Sequence, residues 1–155
     1  ERSACGRPIN TAKARHAQPL KLIEADFNSF ERLLGEIQDC YSRGDRNGLN
    51  QRATGEMCAT FSADIDALAR RGLANRLSDV KLLQGDLSEA WREGSSDYAT
   101  VAMRFSLVDV KVEAATGRIV EGDPNRPQEV TEVWTFVRGA GESPEAWQLS
   151  AIQQA

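Results

Sequence analysis

The feature that most limits the fold is a change of hydrophobic period at Gly72. Before it, apolar residues recur at helical steps. Phe27, Phe30, Leu33, Leu34, Ile37 and Tyr41 make one stripe at three- and four-residue spacing. Asp26 stands where it can take the first free amides of that helix, and Gly44 supplies a left-handed stop. A short helix over 46–53 turns Leu49 and Ala53 inward. A third, over 55–71, puts Met57, Phe61, Ile65 and Leu68 on one face. Arg70 and Arg71 suit its negative end, and Gly72 its exit.

After Gly72 the period becomes two. In "TVAMRFSL", Val101, Met103, Phe105 and Leu107 point one way, and Ala102, Arg104 and Ser106 the other. Val110 and Val112 have the opposite parity, which predicts a β-bulge near Val108 and Asp109. The pattern also predicts a strand over 73–84, and then "GDLSEAWREG" as a turn with a short strand around Trp91. A returning strand over 118–121, a "GDPNRPQ" loop and strands over 129–138 and 146–153 complete the expectation. Helices first and strands after them define an α+β fold, the N-terminal helices packed on the concave side of a bent antiparallel sheet.

Two of the three tryptophans lie in the last two strands. In "VTEVWTFVR", Trp134 and Phe136 face one side and Val133 and Val137 the other, so both faces are apolar. A sheet with helices on one face alternates apolar with polar. The second face is therefore expected to be covered, by a partner subunit (a homodimer), the N-terminal arm or a ligand. The alternative gives Trp134 to the helices and leaves the valines half exposed. Met103, Phe105, Trp134, Phe136 and Trp147 are the candidate apolar docking or pocket surface.

With 155 residues, 41% apolar and 27% charged, the chain suits one globular domain. Residues 1–21 show no period and read as a basic linker or arm; residues 22–155 form the domain. The arm holds Arg2, Arg7, Lys13, Arg15 and Lys21 against Glu1 alone, a balance of +4. The net charge of −4 then leaves −8 on the domain. An acidic body excludes a nucleic-acid partner, since phosphate contacts need clustered Lys and Arg. The five basic residues of the arm are the candidate contact with an anionic membrane surface. No apolar run approaches the roughly 18 residues that span a bilayer. The first residue is Glu1, so a segment upstream of it is expected, and any anchor would lie there.

Little in the chain could carry chemistry. His16, the only histidine, lies in the arm, which removes a Ser–His or Cys–His nucleophile and any histidine metal cluster from the domain. Cys5, Cys40 and Cys58 have no metal-ligand spacing, and Cys40 and Cys58 read as inert buried thiols. No glycine-rich phosphate loop occurs. No cofactor and no catalytic residue is expected. Of the strand carboxylates, Asp109 shares a nominal face with Leu107 but is expected to be turned outward by the bulge. Glu132 is expected to pair with an arginine such as Arg104 or Arg138.

A run of motifs carries a family resemblance. "LLGEIQ", "LSDVKLLQGDLSEAWREG", "DYATVAMRFSLVD", "ATGRIVEG", "EVWTFVR" and "WQLSAIQQ", in that order over residues 22–155, together resemble the Tim-forty-four-like domain. That is the C-terminal domain of the mitochondrial inner-membrane import-translocase subunit, found also in alphaproteobacteria. The resemblance implies an α+β cone related to nuclear-transport-factor-two and cystatin-like folds, without catalytic residues. It implies attachment to the inner membrane, on a side left undefined. Bacterial members commonly carry a hydrophobic N-terminal segment, which would precede Glu1. In mitochondria the relative recruits the chaperone motor to the translocon, and its domain associates with anionic lipid. The expected function is a non-enzymatic, membrane-associated adaptor or scaffold with a protein partner, linked to protein translocation or inner-membrane protein assembly. The alternative is a small-molecule or lipid-binding cone, or an enzyme that uses it.

Overall fold

The computed structural model describes residues 17–155. Three helices come first: α1 (Glu24–Arg43), α2 (Arg46–Arg52) and α3 (Gly55–Arg70). Their ends follow from local chemistry. Asp26 sits three residues inside the start of α1 and reaches back, its Oδ2 accepting from the Ile23 N–H at 2.9 Å. Gly44 closes α1 at φ +68, a region that only glycine enters cheaply. The Asp45 carboxylate accepts from the Gly48 N–H to start α2, and the Thr54 hydroxyl accepts from the Met57 N–H to start α3.

The strands β1 (Gln18–Pro19), β2 (Leu73–Glu93), β3 (Ser96–Glu113), β4 (Ile119–Glu121), β5 (Gln128–Gly139) and β6 (Gln148–Gln154) make one antiparallel sheet. Its order is β1-β2-β3-β5-β6, with β4 beside the far end of β3. β1 pairs with Trp91 and Arg92, and the Leu20 N–H donates to Ala90 at 3.0 Å. Sheet pairing thus reaches back into the segment that sequence alone assigns to the arm.

Two expectations about the strands are corrected. No turn interrupts β2 at Gly85; Leu73–Glu93 is one strand of 21 residues. Pairing with β3 along its length outweighs the local turn signal of "GDLSEAWREG", and Gly85 lies directly across from Met103. The bulge expected near Val108 is not in β3. Register shifts lie in the β2–β3 pairing, one of them between Ser78 and Lys81, where Asp79 takes φ +53. In β3 itself both faces are covered where the parity slips. Leu107 belongs to the main core, while Val108, Val110 and Val112 form a separate cluster with Ala74.

The core lies between the helices and the concave face. Phe30 of α1 stacks on Phe136 at 4.4 Å between centroids and meets the Trp147 ring edge-on at 5.2 Å. Trp134 and Phe136 are fully buried, whereas Val133 and Val137 on the other face are half-buried. The helices take the aromatics, so no second layer is needed to hide them. Burying each such ring is worth roughly 4–6 kcal/mol at about 25 cal/mol per Å².

Candidate functional site

The helices leave one end of the concave face bare. There a cavity of about 550 Å³ is lined by Leu77, Leu107, Asp109, Lys111, Glu121, Gly122, residues 128–132 and Gln154. Every one of these lies on a strand or strand connection, and none on a helix.

Asp109 looks into this cavity from the same face as Leu107, the reverse of the outward orientation expected from a bulge. With β3 unbroken at that point, strand alternation alone carries Asp109 and Lys111 to the concave side. Asn75 of β2 donates to Asp109 Oδ1 at 2.6 Å. Lys111 Nζ lies 3.1 Å from Glu121 Oε2, and that hydrogen bond and charge hold the Glu121 carboxyl below its usual range. Glu132 sits at the inner wall, 3% exposed. It accepts from Trp134 Nε1 at 2.9 Å and from Gln154 Nε2 at 3.2 Å.

The arginines expected beside Glu132 go elsewhere. Arg104 donates to Glu129 at 3.1 Å, because one residue of strand separates it from the face that Glu132 shares with Met103. Arg138 lies six residues along β5, about 20 Å away. It belongs to a second polar cluster at the opposite end of the sheet. There it donates to Asp26 Oδ1 at 2.9 Å and Asp97 Oδ2 at 3.0 Å, and its guanidinium lies 4.4 Å from the Trp147 ring centre. Trp147 Nε1 also donates to Asp26 Oδ1, at 2.9 Å. Burial pushes the Asp97 carboxyl up, but hydrogen bonds from Arg92, the Gly141 N–H and Arg138 outweigh it and leave the group below its ordinary value. This cluster ties the start of α1 to the two hairpins β2–β3 and β5–β6. Its groups are bonded to one another, which makes it a structural pin.

The five apolar residues expected to form a docking surface are all interior. Met103, Phe105, Trp134, Phe136 and Trp147 are each 0–1% exposed and belong to the main core. Of the five basic candidates, Lys21 is exposed just beyond β1, and Arg2, Arg7, Lys13 and Arg15 lie outside the described residues, as do His16 and Cys5. Burial pushes both the Cys40 and Cys58 thiols up, which keeps them protonated and unreactive. Among the described residues, no three His, Cys, Asp or Glu side chains are placed to hold a metal ion. None of the described helices is long and apolar enough to cross a membrane.

The cavity can therefore receive a polar or cationic group. Asp109, Glu121 and Glu132 face a single lysine, Lys111, within its lining. Sequence reasoning noticed two of these carboxylates and missed the other polar residues of the lining: Lys111, Glu121, Gln128, Glu129, Thr131 and Gln154. The signal was available on β3, where a run of apolar residues at 101–107 gives way on the same face to Asp109 and Lys111.

Three helices ahead of a bent, open antiparallel sheet define an α+β domain whose concave face holds the core and, beyond it, the cavity. The chain belongs to the Tim44-like domain family, whose model matches residues 16–154. Among solved structures, the intermembrane space region of the chloroplast protein ARC6 is similar to it. The identity is 12% and the TM-score 0.48, over 87% of this chain and 100% of that one. Among curated proteins, none matches the chain.

Proposed function

We propose that this chain is a non-enzymatic, membrane-associated adaptor domain, and that the open end of its sheet is where a protein partner docks. The observation that supports this is a family match over nearly the whole chain, in a domain whose concave face the helices leave partly bare. The cavity wall is polar and acidic, so it suits a partner segment that brings lysine or arginine. Residues 1–21, with their balance of +4, suit an anionic lipid surface, each basic residue contributing up to about 1 kcal/mol there. A role in protein translocation or inner-membrane protein assembly fits both features.

Liposome flotation tests the membrane half of this reading. The whole chain is expected to float with anionic vesicles at low salt and to detach near physiological salt, because screening acts over about 8–10 Å. A chain starting at Leu22 is expected to stay behind. Equal flotation of both would move the lipid contact onto the folded domain, and flotation of neither would refute a lipid contact by the arm and leave attachment to a segment upstream of Glu1. The adaptor half is tested by a photo-crosslinker at Gln128, exposed on the cavity rim opposite Leu107, with Ser62 on α3 as the control. A protein adduct formed from Gln128 alone is expected; equal labelling at both positions would refute the cavity as the docking site.

A second reading, a small-molecule or lipid-binding pocket, draws on the cavity's volume and on Glu132 at its wall. A discrete ligand recovered with the purified chain and lost on Glu132→Gln would favour it.

A further inference from the structure

A groove runs along the outer edge of the sheet, between α1 and β2. Three contacts show that the two elements lie antiparallel. Ser42, near the end of α1, accepts from Arg76 at 2.7 Å through its carbonyl and from the Leu77 N–H at 2.9 Å through its hydroxyl. Midway, Glu31, Leu34 and Gly35 share a cavity of about 440 Å³ with Val80, Lys81 and Leu82. At the other end the Leu20 N–H, just ahead of α1, donates to Ala90 at 3.0 Å. Phe27, one turn before Glu31 on the same side of α1, therefore stands beside the stretch of β2 that holds Leu83 and Leu87. Leu87 is on the helix-covered face, because it pairs with Val101 of the core.

The groove is apolar and open. Ile23, Phe27, Leu83 and Leu87 are 40–60% exposed, four of the six large apolar side chains that are exposed among the described residues. A Cβ placed at Gly35 would meet no atom within 4 Å, so the middle of α1 presents bare backbone there. Proteins ordinarily cover contiguous apolar surface of this kind. Three register shifts break the edge of β2 along this stretch, so an occupant is held by its side chains more than by strand pairing. The charge on the bordering elements is acidic: Glu24 and Glu31 on α1 and Asp79, Asp86 and Glu89 on β2 outnumber Lys81. A second copy would bring the same negative charge against itself, which disfavours it.

We propose that residues 1–16 of this same chain, outside the described part, dock in the groove, with Ile9 against Phe27 and Leu87 and the basic residues against the acidic borders. The segment holds Arg2, Arg7, Lys13 and Arg15 against Glu1, a balance of +3, and Ile9 is its one large aliphatic residue. The arm joins the sheet at Gln18, opposite Arg92, at the groove's own end. The chain from Ile9 to Gln18 reaches about 30 Å when extended, whereas Leu87 lies about 17 Å along β2 from Arg92. A tether this short gives the arm a roughly millimolar local concentration, ahead of any free partner. Its basic residues are also those assigned above to anionic lipid, so one arm cannot serve both at once. Lipid would draw the arm off and bare the groove; that consequence rests on the membrane reading, and the docking does not.

The probe is the photo-crosslinker p-benzoylphenylalanine in place of Ile9, in the whole chain without lipid, its adducts mapped by proteolysis and mass spectrometry. Intramolecular adducts confined to residues 27–35 and 81–87 are expected, with a yield that falls as salt screens charges beyond about 8–10 Å. Gly35→Phe, at a position where a side chain has room, is expected to abolish them by filling the groove. Arg7→Glu with Lys13→Glu is expected to lower the yield, and adding Glu31→Lys and Asp86→Lys, both exposed positions, to restore it. That charge exchange decides the matter where Gly35→Phe does not fold. Adducts scattered over the domain, adducts to residues 128–132 of the acidic cavity, covalent dimers, or no adduct at all would each overturn the proposal. With phosphatidylglycerol vesicles the adducts are expected to vanish as the chain floats. A chain that floats with its adducts intact would overturn the exclusion between groove and lipid. Adducts in a chain that does not float would uphold the docking and refute the arm's lipid contact alone.

Discussion

Replacing Asp97 by alanine tests whether the polar cluster at the closed end of the sheet is the pin it resembles. The Asp97 side chain is fully buried and accepts from Arg92 Nε at 2.6 Å and Arg92 Nη2 at 3.2 Å. It also accepts from Arg138 Nε at 3.0 Å and from the Gly141 N–H at 3.1 Å. Arg92 is 41% exposed and would regain water when the carboxylate is removed, so its loss counts for little. Arg138 is only 9% exposed and would not. Stripping one partner from a buried charge costs about 3–5 kcal/mol. Asp26 still holds the other arm of the guanidinium at 2.9 Å, which puts Asp97→Ala near the bottom of that range, at about 3 kcal/mol. In urea, with a slope of about 1–3 kcal/mol per M, the midpoint should fall by about 1–3 M. The pH dependence has a definite sign. Asp97 titrates lower in the folded chain than its ordinary 3.8, so its contribution is full above that value and is lost as pH falls through the folded one. The gap between the two proteins should therefore close on acidification below about pH 4. A loss under 1 kcal/mol at neutral pH, or a gap that widens in acid, would refute the reasoning.

Trp134→Ala should cost about 3–5 kcal/mol in a denaturant melt, since the ring is fully buried and its Nε1 satisfies Glu132; a loss under 1 kcal/mol would remove it from the core. Gly122→Ala should destabilise by about 1–3 kcal/mol and shift the Asp109 amide, because Gly122 has φ +96 and a Cβ there would stand 2.6 Å from the Asp109 carbonyl oxygen. A melting temperature within error of the unaltered chain would contradict that. Glu113, bonded to Arg118 and Thr116, should titrate by carboxyl NMR near 2 instead of 4.5 and return to the ordinary range in Arg118→Ala. Its contribution to the hairpin is present above pH 4.5 and lost toward pH 2, and an ordinary midpoint in the unaltered chain would show that the pair does not persist in solution.

Much of the fold was legible because it is local. The stripe from Phe30 to Tyr41, the caps at Asp45 and Thr54 and the stops at Gly44 and Gly72 are decided within one or two helical turns, and the helices follow them within a residue or two. Pairing between strands is not local. Gly85 in "LQGDLSEA" is a turn signal by composition, and pairing with β3 on both sides of it keeps it extended. The slip of parity at Val108 was visible, but an alternation pattern cannot say whether the chain has bulged or whether both faces are covered. The structure has both in different strands: a shift in β2 at Asp79, and two covered faces in β3.

The candidate site was misplaced for a related reason. Alternation names the residues that share a face; it does not say how far along that face the helices extend. Met103, Phe105, Trp134 and Phe136 were recognised as one apolar surface, and they are one, but it lies beneath α1. Element lengths hold the missing information. β3 has 18 residues and spans about 60 Å, whereas α1, the longest helix of the described residues, has 20 and spans about 30 Å. A helix of that length crossing the sheet cannot shelter the whole strand, so one stretch of the concave face has to meet solvent or a partner. The place where cover ends is written in β3 itself. Val101, Met103, Phe105 and Leu107 are buried, and the next two residues on that face are Asp109 and Lys111. An apolar-to-charged switch on one face of a strand too long for its helices therefore marks the mouth of the cavity, and Asp109 stands at its first step.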